Sequence, residues 1–133
     1  MIGVVLDRSA IAAWARLDQH MVAWMMRAED AARPLLIAAS ELARALADAQ
    51  TLHEVETIGH LVEMGMTVPP PAGDLTPSMA FHVADVLREA KDADVGHAHT
   101  LVLAVAREWP ILTADPDRWT ALFPNVSLEV LPT

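Results

Sequence analysis

Short apolar runs alternate with helical patterning along this chain, and that alternation most constrains its fold. Gly3 to Leu6 is apolar and stops at Asp7, the pattern of a strand buried on both faces. Ile111 to Thr113 repeats it and runs into Asp115, and Val126, Leu128 and Val130 alternate as a last strand. Met66 to Val68 is a further short candidate. Between them lie helical spacings: Ile11, Trp14 and Ala15; then Val22, Met25, Met26 and Glu29, closed before Arg33-Pro34. Leu35 to Leu46 is rich in alanine and leucine and reads as helix. Short strands separated by helices predict an α/β fold with a parallel sheet wrapped by helices in three layers.

The punctuation agrees. Thr51 with Glu54 matches a capping box, opening a helix with Leu52, Val55, Ile58 and Val62 on its apolar face and its end near Gly65. Thr76-Pro77 is an N-cap followed by proline in the first turn, and Ala80, Val83, Ala84 and Leu87 face inward after it. Asp94 opens the next helix, with Ala98, Leu101, Val102 and Val105 inward, and Asp115-Pro116 opens a short one bearing Trp119. The proline-rich stretch 68–77 is expected to be an extended connection. With 133 residues, 53% of them hydrophobic, the chain fits one domain spanning 1–133. No apolar run approaches the roughly 18 residues of a membrane span. The start has no basic n-region, so no secretory signal is expected. Cysteine is absent, which removes disulfides and thiolate chemistry and fits a cytoplasmic location. A net charge of −9 argues against a large nucleic-acid footprint. A cluster of acids around a metal would leave the rest of the surface less acidic. Eight of the nine basic residues are arginine, suited to phosphate contacts.

Two buried strands each end at an acid. Ligands of open α/β sheets bind beyond the carboxyl ends of the strands, so parallel neighbours would bring Asp7 and Asp115 to one edge. Gathered carboxylates repel, and a hard cation, Mg²⁺ or Mn²⁺, relieves this. Such an ion can activate water and neutralise a phosphodiester oxygen. Each acid also has a plain reading. Asp7 and Asp115 can cap the helices that follow them, Asp117 is a first-turn acid favoured by the helix dipole, and Glu41 is an ordinary helix glutamate.

The combination resembles the PIN domain family, the fold of VapC-type toxins and of several RNA-processing nucleases. The likeness runs over nearly the whole chain. VVLDRSAIAAW resembles the opening strand, first aspartate and following serine, and SELARAL the helix that bears a glutamate. HAHTLVLAVAREWPILTADPDRW resembles the last long helix, strand and T-x-D turn. By this resemblance Asp7, Glu41 and Asp115 take the positions of catalytic metal-site acids, Ser9 and Thr113 support them, and Asp117 stands further out. The implied chemistry is Mg²⁺- or Mn²⁺-dependent hydrolysis of RNA by the toxin-like member of a pair, with a cognate antitoxin as partner.

The third acid departs from the family pattern. Sixteen residues before Thr113 stands His97, not aspartate, and Asp94 lies one helical turn earlier on the same face. Asp94 can substitute as ligand, His97 can itself bind, which would favour Mn²⁺, or the site is impaired. Asp94 also reads as an N-cap, and His97 as a hydrogen-bonded polar residue. His99 is expected to be exposed and Asp92 solvated. Arg8 can contact substrate phosphate, or pair with a site carboxylate and stand in for the cation. The four tryptophans read as core or interface anchors. Met21, Met25 and Met26 read as an adaptable apolar face, the expected seat of a homodimer or other protein contact. Two functions follow: a PIN-type ribonuclease, or a degenerate PIN-like domain acting as a protein-binding or regulatory module. A receiver-like phosphate-binding domain is weaker, since it expects paired acids after the first strand and a lysine after a late one.

Overall fold

A computed structural model describes residues 2–132. The chain is mixed α/β. Its elements run β1 (Val4–Leu6), α1 (Arg8–Ala15), α2 (Gln19–Asp30), β2 (Leu35–Ile37), α3 (Ala39–Asp48) and α4 (Leu52–Glu63). They continue with α5 (Pro77–Glu89), α6 (Val95–Arg107), β3 (Ile111–Thr113), α7 (Pro116–Leu122) and β4 (Leu128–Val130). The four strands form one all-parallel sheet in the order β2-β1-β3-β4. Among the described residues no helix is long and apolar enough to cross a membrane.

Side chains on successive strand residues point to opposite faces, and the sheet has a core on each. Val4, Leu6, Leu35, Ile37 and Leu112 meet residues of α1, α2 and α4 on one side. Val5, Leu36 and Ile111 meet Leu103 and Ala104 of α6 and Trp119 of α7 on the other. Crossovers between parallel strands are right-handed. The β1-to-β2 and β3-to-β4 connections run in opposite directions along the sheet, which sends their helices to opposite faces. The crevice between β1 and β3 is therefore the switch point.

Several sequence expectations fail here. Leu35 to Ile37 is strand, not the start of a helix. Its pairing with Val4 to Leu6 and its complete enclosure override the helical preference of leucine, and helix begins only at Ala39. Met66 to Val68 makes a single parallel bridge, Thr67 to Leu35, beside β2 and is no named strand. Stretch 68–77 is not extended throughout: Ala72 N–H donates to the Pro69 carbonyl and Asp74 N–H to that of Pro71. On α4 the buried residues are Thr57, Ile58 and Leu61, while Leu52 is exposed. On α6 Val105 is exposed, and burial concentrates in the first two turns. Met21 and Met25 are core residues and only Met26 of that trio faces outward, so the proposed methionine face does not exist as a surface. Trp24 and Trp119 are buried, with Trp24 donating to Glu129.

Candidate acidic site at the sheet switch point

Asp7 leaves the end of β1 and is 3% exposed. It caps α1, its Oδ1 accepting from Ala10 N–H at 2.8 Å and from the Ser9 hydroxyl at 2.7 Å. Its Oδ2 accepts from the Trp119 indole N–H at 2.7 Å. A buried carboxylate is tolerable when hydrogen-bonded, and three donors from α1 and α7 do that here.

Hydroxyls bind this centre to the end of β3. Thr113 Oγ1 lies 3.2 Å from Ser9 Oγ and accepts from Asp115 N–H at 2.9 Å, while Ser9 Oγ accepts from Ala114 N–H at 2.8 Å. Ser9 gives its proton to the Asp7 carboxylate, so Thr113 is the donor to Ser9. The polar chain thus runs from Asp115 N–H through Thr113 and Ser9 to Asp7. The Asp115 side chain is an exposed N-cap of α7, accepting from Arg118 N–H at 3.4 Å. Asp117 is exposed in the first turn of that helix, and Asp92 is solvated.

The second half of the site is an ion triplet. Arg8 Nε donates to Glu41 Oε1 at 2.8 Å, and Arg8 Nη2 donates to Asp94 Oδ1 at 2.6 Å. Glu41 stands in the first turn of α3 and is 0% exposed; its Oε2 has no hydrogen-bond partner among the described residues. Burial pushes the Glu41 carboxyl up to about 7, against the pull of Arg8. Burial acts on Asp94 in the same sense, but the bonds from Arg8 and from His97 N–H outweigh it and hold that carboxyl at about 2. Of the two possible roles for Arg8, the geometry shows pairing with carboxylates rather than a free phosphate contact.

Asp94 and His97 close a reciprocal capping box at the start of α6. Asp94 Oδ1 accepts from His97 N–H at 2.9 Å, and His97 Nδ1 accepts from Asp94 N–H at 3.3 Å. Burial lowers the His97 pKa more than Asp94 raises it, so the ring is neutral with its proton on Nε2. The ring meets Trp119 edge-on at 5.4 Å between centroids.

His99 is buried, contrary to expectation, with Nδ1 2.8 Å from the Ser40 hydroxyl. The first turns of α6 are enclosed by α3 and α5 as well as by the sheet, so a residue off the sheet-facing stripe is still covered. Gly96, a residue merely tolerated near a helix end by sequence, is a packing point. A Cβ there would lie 2.5 Å from Glu41 Oε1 and 2.8 Å from Arg8 Nη2, so any larger residue would force the carboxylate and guanidinium ends to shift. Trp119 was read as a core anchor and not as a donor to Asp7, although a buried indole N–H needs a partner.

Asp7, Glu41 and Asp94 offer the oxygen donors that Mg²⁺ or Mn²⁺ prefers, and the unpartnered Glu41 Oε2 is an available acceptor. Their present placement does not fit an ion. Among the described residues no group of three or more histidine, aspartate and glutamate side chains is arranged to hold one, and a guanidinium lies between Glu41 and Asp94. No protein-family model matches the chain, and no curated protein matches it significantly.

Proposed function

We propose that this protein is a PIN-like domain whose RNA-hydrolysing site is closed by its own arginine, leaving a catalytically impaired module that works by binding protein. One observation carries this reading: Arg8 bridges Glu41, an acid that the resemblance places at the metal site, and Asp94, the acid that could substitute for the missing third one. The support for the PIN-like assignment itself is the parallel sheet with Asp7 at its switch point and the order of matching segments. The partner proposed is an antitoxin-like protein or a second copy of this chain, in the cytoplasm.

The second reading is an active toxin-like ribonuclease. The observation that favours it is Glu41 Oε2, buried and unpartnered, an acceptor that a cation would satisfy. In that case Asp7 and Asp115 would anchor Mg²⁺ or Mn²⁺, with Glu41 beside them and Asp94 or His97 in place of the third acid, and the ion would supply an activated water and neutralise phosphate charge. Asp117 would stand further out, and Ser9 and Thr113 would hold Asp7 in place.

Thermal unfolding of the wild type and Asp7→Asn with Mn²⁺ or Mg²⁺, beside an RNA cleavage assay, separates the two. The closed-site reading expects no metal-dependent shift up to millimolar concentration and no cleavage. A ligand at a hundred times its dissociation constant stabilises by about 2.7 kcal/mol. A Mn²⁺ shift of roughly 5–15 °C that disappears in Asp7→Asn, with RNA cut, would establish the active nuclease instead.

A further inference from the structure

We infer that Ser40 is a nucleophilic serine served by His99 as its base, and that the groove in front of it accepts a small carboxylic ester. The inference does not depend on the closed-site reading.

The pair comes from two helices that the fold packs together. Ser40 is half-buried in the first turn of α3, and His99 is completely buried in the second turn of α6. Ser40 Oγ and His99 Nδ1 are 2.8 Å apart, across 59 positions of sequence. A serine hydroxyl becomes a useful nucleophile when a base within about 2.6–3.2 Å can take its proton. Burial disfavours the charged ring, so His99 is neutral and one of its nitrogens is an acceptor. The backbone and the charge of Asp74 act on the ring in the direction that favours a proton. With Ser40 at Nδ1, that proton belongs on Nε2, although Nε2 makes no close hydrogen bond among the described residues. Nδ1 then accepts from the Ser40 hydroxyl. Packing alone does not account for this residue. An apolar side chain would fill the same space without an unpartnered buried nitrogen, which lowers stability, and a chemical role explains what packing leaves over.

Ser40 opens on a groove of about 380 Å³, at the small end of ligand pockets. Ala43, Ala47 and Val95 give it apolar lining, and Arg8 and Arg44 are its cations, so a short acyl group suits it. No side chain caps α3, and Ala39 N–H goes to the Gly73 carbonyl. The amides of Ser40 and Glu41 follow in the same turn, where N–H groups have no partner within the helix, and such donors stabilise a developing oxyanion. As the Ser40 oxygen bonds to the carbonyl carbon, its proton passes to His99 Nδ1. The bond from that carbon to the leaving alcohol oxygen then breaks, and His99 returns the proton to that oxygen. Water, giving a proton to His99 in turn, releases the carboxylic acid and restores the Ser40 hydroxyl.

Reaction of the full chain with p-nitrophenyl acetate, quenched in acid and mapped by peptide mass spectrometry, tests this. The variants are Ser40→Ala, His99→Asn and His99→Gln, with thermal unfolding to show which of them fold. Asparagine presents an oxygen near the position of Nδ1 without a basic nitrogen, and glutamine is the second choice should asparagine unfold the chain. The exposed Ser78 of the same chain is the internal reference. The expected result is acetylation of Ser40 about 100-fold or more faster than of Ser78, absent in Ser40→Ala and slowed about 100-fold in a folded His99 variant, the scale of a positioned base. Ser40 acetylated no faster than Ser78 overturns the inference, whether or not the His99 variants fold. A folded His99 variant acetylated at Ser40 as fast as wild type also overturns it, and makes the histidine a packing residue only.

Discussion

Arg8 Nε donates to Glu41 Oε1 at 2.8 Å across 33 positions of sequence, while the other carboxylate oxygen of the buried Glu41 has no partner among the described residues. Removing Arg8 would strand a buried charge, at a cost of about 3–5 kcal/mol. In urea unfolding at pH 8, Arg8→Ala should therefore be far more damaging than Glu41→Gln. The double variant should recover part of the loss, with a coupling of about 1–3 kcal/mol. Strict additivity would show that the pair does not interact in solution.

The same pair fixes a pH dependence. The folded Glu41 carboxyl titrates at about 7 against an ordinary 4.5, so the folded state holds this proton more tightly than the unfolded chain does. Its stabilising contribution is fully present below about pH 4.5 and is lost as pH rises through about 7. The loss is on the order of 3 kcal/mol. Asp94 has the opposite sign: held at about 2 against 3.8, it stabilises above pH 3.8 and loses that contribution as pH falls through 2. Unfolding curves between pH 4.5 and 8 should decline for wild type and flatten for Glu41→Gln; parallel curves would contradict the assignment.

Gly96→Ala reverses the usual sign of its substitution. Within a helix, alanine normally stabilises relative to glycine by about 1 kcal/mol. Here the new methyl would meet Glu41 and Arg8, and overpacking costs about 1–3 kcal/mol. A lower unfolding midpoint than wild type is expected, and a higher one would mean that the triplet is not packed against α6.

Around Asp7, two variants should behave alike. Trp119→Phe removes the donor to Oδ2, and Ser9→Ala removes a donor to Oδ1 together with the link to Thr113. Hydrogen bonds to charged groups contribute about 1.5–3 kcal/mol. Each variant should lose an amount of that order by urea unfolding, and Trp119→Phe should keep most of its packing against Phe123 and His97. Losses under about 0.5 kcal/mol, the range of ordinary surface changes, would show that these bonds are replaced by water.

The α/β class was legible in the sequence because it depends on local signals. The apolar runs ending at Asp7 and Asp115 marked β1 and β3, and capping patterns at Thr51, Thr76, Asp94 and Asp115 marked helix starts that the structure retains. The placement of Asp7 at a strand end followed from the same pattern. What lay beyond the sequence depended on partners distant in it. Leu35 to Ile37 became strand because Val4 to Leu6 pairs with it. Glu41 and His99 became buried because α3 and α6 pack together over them. The choice of Arg8 between phosphate and carboxylate was made by Asp94, 86 residues away. Propensity and capping act within a few residues of the chain, whereas burial and ion pairing belong to elements that only the folded chain brings together, and the fate of the acidic site was decided by the latter.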